Sequence, residues 1–166
     1  DSAEKATAHG FSNTYEELVL GRLGLRVGLI STQVLQPEPL ERFLHDCMMM
    51  SQVLAKLADD CRHLMRTEIG EVTEPFAAGQ VGSSTMAHKR NPINFETVVG
   101  QGEKALAEYI KVLLTLNSEH QRDLTGSSVA RDFPVLPIIL QTQLDTLLRA
   151  DKDGTPFLAR IGVDYE

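Results

Sequence analysis

The sequence contains no tryptophan, only two cysteines and no long uninterrupted run of apolar residues. A helix that crosses a bilayer needs about 20 apolar residues, and no segment approaches that length. The net charge of −7 and the lack of tryptophan argue against broad nucleic-acid binding. No signal peptide is visible. The 166 residues can bury one hydrophobic core, and the composition predicts a cytoplasmic protein that binds neither membranes nor nucleic acids.

The two cysteines, Cys47 and Cys61, fall on the same predicted helix. At about 1.5 Å of rise per residue their spacing separates them by roughly 21 Å, which is too far for a disulfide. Neither cysteine has another cysteine or a pair of histidines at metal-ligand spacing. The sequence therefore predicts two free thiols in a reducing compartment, with no metal and no cofactor.

Periodic apolar residues predict an all-α fold. A capping box of the form T-x-x-E at Thr14 opens a first helix, which is predicted to continue until Ser31. A long helix follows Pro37 and Pro39, and its apolar and small residues repeat with the 4-3-4-3 spacing of a bundle seam. The residues of this seam are Leu40, Leu44, Cys47, Ser51, Leu54, Ala58, Cys61 and Met65.

Two further helices are predicted, one beginning at Pro92 and one running from about Val135 to Leu148. Both long helices are apolar over a wide arc, and a chain of this size cannot easily bury two such helices by itself. The pattern therefore predicts burial against other copies of the chain or against further segments.

A polar segment lies between the two long helices. This segment, Gly82–Pro92, has the sequence GSSTMAHKRNP and is called the signature segment below. Asn91 is a preferred N-cap and Pro92 suits the first helical position, so the segment is predicted to lead into a helix N-terminus that favours anions. Lys89 and Arg90 add cations. We interpret it as a site where a serine hydroxyl acts beside a bound anion, the alternative being a surface loop before a well-capped helix.

A second polar cluster, Arg122–Arg131, is called the arginine segment below. It has an arginine at each end with hydroxyl-bearing residues between them. Guanidinium groups suit phosphate or carboxylate, and hydroxyls donate further hydrogen bonds. The segment is a candidate phosphate site, and the alternative is a solvated connection between helices.

The signature segment resembles the G-S-S-x-M-P-x-K-x-N-P loop of the fumarase/aspartase superfamily. Residues 67–72 and 74–76 resemble the neighbourhood of that loop. The form His88–Pro92 and the arginine segment are most similar to the adenylosuccinate lyase family. The resemblance implies a long-helix bundle that forms part of the twenty-helix core of a homotetramer, with active sites shared between subunits. It assigns residues 1–118 to a central helical domain and 119–166 to the end of the bundle and the start of a C-terminal helical domain.

The activity implied by the resemblance is a β-elimination that releases fumarate. The substrates would be adenylosuccinate, which gives AMP, and the succinyl-carboxamide ribotide of purine biosynthesis. By similarity, Ser83 is the catalytic base, and Lys89 and Asn91 hold the succinyl carboxylate and stabilise the charge that develops on it. The other substrate-binding residues implied by the resemblance are Ser84, Met86, His88, Arg122, Ser127 and Arg131.

The chain also departs from the family pattern. Ala87 replaces the proline of the loop, and residues 6–12 replace a glycine-threonine-glutamine run. None of the five histidines matches the T-H-x-Q motif that carries the general acid of the family. Since the first residue is Asp1, we expect a partial subunit that lacks the upstream region. The alternatives are another superfamily lyase, a carboxymuconate-type cycloisomerase, or a non-catalytic helical assembly module.

Overall fold

The computed structural model describes residues 14–28, 36–75, 86, 90–117, 125–149 and 157–163, and most of these residues are helical. The chain divides into two units, Asp1–Leu35 and Gln36–Glu166, which are described separately. The described part of the first unit contains helix α1 (Thr14–Arg22).

Helix α1 begins at the predicted capping box but ends earlier than predicted. The N–H of Leu25 donates to the carbonyl of Leu20 at 2.8 Å, and the N–H of Gly24 donates to that of Gly21 at 3.2 Å. Gly24 has a φ of +70°, so these two bonds form the left-handed termination that glycine favours. The prediction that the helix continues to Ser31 was therefore wrong, because Gly24 terminates it.

The described residues of the second unit form three long helices and several short elements. Its elements in chain order are α2 (Glu38–Leu64), β1 (Val72–Thr73), α3 (Ile93–Leu113), α4 (Ser127–Ala130), α5 (Val135–Leu148), a 3₁₀ helix (Phe157–Arg160) and β2 (Gly162–Val163). The two strands pair antiparallel, with Val72 opposite Val163. The predicted all-α class is confirmed for the described residues, apart from these two-residue strands.

The bundle seam predicted for α2 lies in the core. Leu44, Cys47, Ser51 and Ala58 are buried, and the remaining seam residues are half-buried. The predicted bounds of α5 are also those observed. Apolar periodicity predicts these helices correctly because the periodic apolar residues form one face of each helix, and tertiary packing buries that face.

Two hydrophobic clusters follow one another along the three helices. The first consists of Leu44, Cys47, Met48, Ala105, Tyr109, Val112, Leu136, Ile139 and Leu140. The second consists of Ala58, Val72, Phe95, Val98, Leu147 and Phe157. Since α2 and α5 pass from the first cluster to the second while α3 passes from the second to the first, α3 is antiparallel to its two neighbours.

A polar layer separates the two clusters. The side chain of Gln143, which is 0% exposed, donates to the carbonyls of Val98 at 2.9 Å and Ser51 at 3.2 Å. Gln52 donates to the carbonyl of Gly102 at 2.7 Å. These bonds are possible because α2 and α3 approach closely here: a Cβ added at Gly102 would lie 2.5 Å from the Cβ of Ala55.

Both cysteines are free thiols, as predicted. Cys47 is buried and Cys61 is half-buried on α2. Burial raises the pKa of each thiol, with a smaller contribution from Asp46 for Cys47 and from Asp60 for Cys61. Thiols of raised pKa are poor nucleophiles, so both serve as small core residues.

The helices expose much apolar surface. The exposed apolar residues of α2, α3 and α5 include Phe43, Met50, Val53, Leu106, Ile110, Leu113 and Ile138. We expected the long helices to carry apolar surface that the chain cannot bury by itself. The exposed apolar residues in the described ranges agree with this expectation. Within the described ranges, none of the helices combines the length and hydropathy needed to span a membrane.

The close approach at Gly102 predicts a stability difference between two glycines of α3. Gly102→Ala should lower the free energy of unfolding by about 1–3 kcal/mol, because the new methyl group overlaps Ala55. Gly100→Ala is the matched control, since nothing lies within 4 Å of its added Cβ. It should raise the stability by about 0.5–1 kcal/mol through helix propensity. Urea denaturation measures both values, and equal effects at the two positions would contradict the close-packing argument.

Tyr109 predicts a loss of stability in alkali. Its hydroxyl donates to the carboxylate of Glu41, and its ring lies edge-on to His45 at 5.6 Å. Burial, followed by the bond to Glu41, raises the pKa of Tyr109 to about 12. The folded state therefore favours the neutral phenol, and its contribution to stability is complete below the unfolded pKa of about 10.

This contribution should be lost as the pH rises from about 10 through 12. Urea denaturation over that range should show a steeper decline for the wild type than for Tyr109→Phe. Tyr15→Phe, at an exposed position of α1, is the control and should follow the wild type. Parallel curves for wild type and Tyr109→Phe would refute the assignment.

Candidate active-site cleft

A cleft of about 870 Å³ lies where the end of α2, strand β1 and the approach to α3 meet. Its lining residues are Arg62, His63, Met65, Arg66, Thr67, Glu68, Thr73, Glu74, Met86, Arg90 and Pro92. Three of these, Met86, Arg90 and Pro92, belong to the signature segment. The structure therefore places Met86, Arg90 and Pro92 beside the C-terminal end of α2.

The chain reverses direction after α2 to form one wall of this cleft. The N–H of Gly70 donates to the carbonyl of Arg66 at 2.8 Å, and the N–H of Glu71 donates back to Leu64 at 3.1 Å. The following residues form β1, which is held by its pairing with β2. This path brings Glu74 to the N-terminus of α3.

Glu74 caps α3, although it lies far from that helix in the sequence. Its carboxylate accepts from the N–H of Phe95 at 2.9 Å and from the N–H of Asn94 at 3.4 Å. The side-chain amide of Asn94 donates to it at 2.8 Å. Glu74 is 4% exposed, and the positive end of the helix dipole offsets the cost of burying its charge.

The predicted N-cap at Asn91 was wrong. The N-cap position is Pro92, whose side chain makes no capping bond, and Asn91 contributes its carbonyl to the N–H of Ile93 at 2.9 Å. Glu74 supplies the anion that the helix N-terminus favours. Sequence reasoning missed Glu74 because cap signals are local. The one feature of the sequence that could have pointed to Glu74 is its position beside Pro75, in a segment without helical periodicity.

Asn94 extends the Glu74 contact to the end of α5. Its carbonyl Oδ1 accepts from Arg149 Nη2 at 2.9 Å, while its amide nitrogen donates to Glu74. Arg149 immediately follows α5, and its backbone carbonyl accepts from the N–H of Phe157 at 2.9 Å. The start of α3 is thus tied to β1 on one side and to the end of α5 on the other.

Basic and acidic side chains both line the cleft, and the basic ones are more numerous. Arg62, Arg66 and Arg90 line it together with His63. Asp59 binds Arg62 through Oδ1 at 2.7 and 3.1 Å, and the Arg62 hydrogen bond holds the pKa of Asp59 below its usual range. Guanidinium groups suit a carboxylate or a phosphate. The cleft is chemically suited to an anionic ligand.

The predicted site residues fall into three groups. Met86 is exposed and Asn91 is half-buried, and both lie at the N-terminal end of α3. Ser127 begins α4 and Arg131 follows it, at the C-terminal end of α3, where Lys111 bonds Asp132 at 2.9 Å. The predicted residues outside the described ranges are Ser83, Ser84, His88, Lys89 and Arg122. The substitution at Ala87 also lies outside those ranges.

Helix α3 separates the two described parts of the predicted site. It has 21 residues, so its ends are roughly 30 Å apart. The structure does not bring Ser127 and Arg131 together with Met86 and Asn91 within one chain. A site that uses both needs more than one copy of the chain.

Comparison with known proteins adds to this geometry. A family model described as "Lyase" matches residues 2–106. The adenylosuccinate lyase of Pyrococcus abyssi is 44% identical over 116 residues, which cover 70% of this chain and 26% of that protein. The chain thus spans about a quarter of the length of this curated relative.

Solved structures show the same fold. The 3-carboxy-cis,cis-muconate lactonizing enzyme of Pseudomonas putida superposes with a TM-score of 0.71 at 26% identity, covering 89% of this chain and 32% of that one. A fumarate lyase:delta crystallin from Brucella melitensis gives a TM-score of 0.70 at 20% identity, covering 95% and 35%. The predicted superfamily fold is confirmed.

Proposed function

The chain belongs to the lyase family, and from that premise we propose that it is part of an adenylosuccinate lyase subunit. The reaction would release fumarate from adenylosuccinate and from the succinyl-carboxamide ribotide of purine biosynthesis. The observation that carries the proposal is the basic cleft, which Met86, Arg90 and Pro92 of the signature segment line beside Arg62 and Arg66. Both substrates are polyanions, and such a cleft suits them. The 44% identity to an adenylosuccinate lyase supports the same choice.

The chemistry proposed for the signature segment is proton abstraction next to a carboxylate. Ser83 is the proposed base, and it requires cations nearby because a free hydroxyl is weakly basic. Lys89 and Asn91 bind the succinyl carboxylate and stabilise the second negative charge that develops on it. Ser84, Met86 and His88 complete the pocket. A general acid from outside this chain then protonates the leaving nitrogen.

The proposed phosphate-binding residues are Arg122, Ser127 and Arg131. The roughly 30 Å between the ends of α3 supports active sites shared between subunits, because the arginine segment of one chain must meet the signature segment of another. The exposed apolar residues of α2 and α3 support burial of these helices in an oligomer, for which we propose a homotetramer.

The domain division proposed for the complete subunit places residues 1–118 in the central bundle and 119–166 at its end and in the start of a C-terminal domain. The packing of α5 along α2 and α3 supports a continuation of the bundle beyond residue 118. The two free thiols support a cytoplasmic location.

A second candidate function is that of a carboxymuconate-type cycloisomerase. The structural likeness to the Pseudomonas putida lactonizing enzyme favours it. The arginine segment argues against it, because the nucleotide phosphate that this segment suits has no counterpart in a carboxymuconate. A non-catalytic helical assembly module is the third possibility.

The first test is an activity assay on the complete subunit that contains this chain. The wild type should cleave adenylosuccinate, which is followed as a decrease in the absorbance of this substrate. Ser83→Ala should lower kcat by about 10²–10⁴-fold, because it removes the group that accepts the proton. Thr85→Ala is the matched control, since it removes a neighbouring hydroxyl without a proposed role. An inactive wild type with folded tetramers would favour the assembly module.

The second test distinguishes the nucleotide lyase from the cycloisomerase. Arg122→Ala and Arg131→Ala should each raise the Kd for AMP by about 10–100-fold, since each removes a charged hydrogen bond to phosphate. Arg42→Ala, at an exposed position of α2, is the control and should leave the Kd unchanged. Isothermal titration of the complete subunit gives these values, and unchanged AMP affinity in both variants would eliminate the proposed phosphate site.

A further inference from the structure

We propose that Glu74 is a positioning residue whose contact with Asn94 and Phe95 holds together the two parts of the chain that flank the signature segment in sequence. The carboxylate lies immediately before Pro75, and its partners, Asn94 and Phe95, lie just after Pro92. The signature segment therefore lies in sequence between the two sides of one buried contact. The catalytic part of this inference rests on the proposed function.

The contact is strong because the anion is shared by three donors. Two are the N–H groups of Asn94 and Phe95, which have no partner within their own helix at these positions. The third is the side-chain amide of Asn94. A carboxylate that is 4% exposed would be costly without partners, so these donors and the helix dipole hold it in one place.

Both sides of the contact are anchored in the core. Val72, two residues before Glu74, is buried in the second cluster and pairs with β2. Phe95 belongs to the same cluster, with its ring edge-on to Phe157 at 5.6 Å. Arg149 fixes Asn94 from the end of α5. A shift of Glu74 relative to Asn94 would therefore displace, relative to each other, the two parts of the chain that flank the signature segment in sequence.

The consequence for the reaction is geometric. Ser83 and Lys89 lie in sequence between the two held ends, and misplacing a reacting group by about 1 Å can lower a rate by about 100-fold. Glu74 acts through the backbone and Asn94, so its loss should reduce kcat while leaving KM within about threefold. The pH profile of kcat should keep its shape, because Glu74 does not itself exchange the reacting proton.

The variants separate geometry from charge. Glu74→Gln keeps the shape and one acceptor for Phe95 but places a donor against Asn94, and it should lower kcat by roughly 10-fold. Glu74→Asp keeps the charge but is one methylene shorter, and it should lower kcat further. Glu71→Gln, an exposed carboxylate three residues earlier, is the charge-matched control and should retain wild-type kcat. A mild Glu74→Asp with a severe Glu74→Gln would mean that Glu74 acts through its charge and would overturn the proposal.

Hydrogen exchange tests the contact without relying on activity. In the complete wild-type subunit the amide of Phe95 should be protected, and Glu74→Gln should reduce its protection by about tenfold or more relative to amides in the middle of α3. Arg149→Ala, a milder change at an exposed residue, should reduce it less. Rapid exchange of the Phe95 amide in the wild type would overturn the proposal. An inactive wild type with a protected Phe95 would instead refute the proposed function and leave the contact established.

Discussion

The close approach of α2 and α3 at Gly102 is the constraint on which the second unit depends. Because Gly102 has no side chain, its backbone can lie close to Ala55 of α2. The helices are then near enough for the side chain of Gln52 to donate to the carbonyl of Gly102. Gln143 bonds the backbone of both helices in the same layer. These bonds fix how far each helix is displaced along its neighbour. The apolar clusters on either side then face each other in one register.

That register reaches both ends of the bundle. At one end it places Tyr109 against Glu41, and at the other it places the start of α3 against Glu74. The cleft forms at the second end, where α2 has finished and β1 begins. The position of the candidate site thus follows from helix packing in the middle of the unit, more than 10 Å away along α3.

Much of the fold could be predicted from sequence, because the apolar residues that repeat with the helical period are the residues that face the core. The seam residues of α2 and the bounds of α5 show this directly. The early end of α1 at Gly24 and the cap of α3 by Glu74 were missed for different reasons. The first depends on one glycine adopting a left-handed turn, and the second joins residues 20 apart in sequence. Of the candidate site, the polar signature segment was recognisable, but its basic neighbours Arg62 and Arg66 were not. Arg62 lies in the last turn of α2, whose apolar seam dominated the pattern, and Arg66 lies just beyond the end of that helix.

The cap by Glu74 also determines how the cleft attracts a ligand. The N–H groups at the start of α3 already donate to the carboxylate of Glu74. They would otherwise be able to bind an anionic ligand directly. We expect attraction to come instead from the guanidinium groups that line the cleft, in a chain with a net charge of −7. Such fields are screened over about 10 Å at 0.1 M salt. We therefore expect the rate at which anions enter this cleft to fall as ionic strength rises.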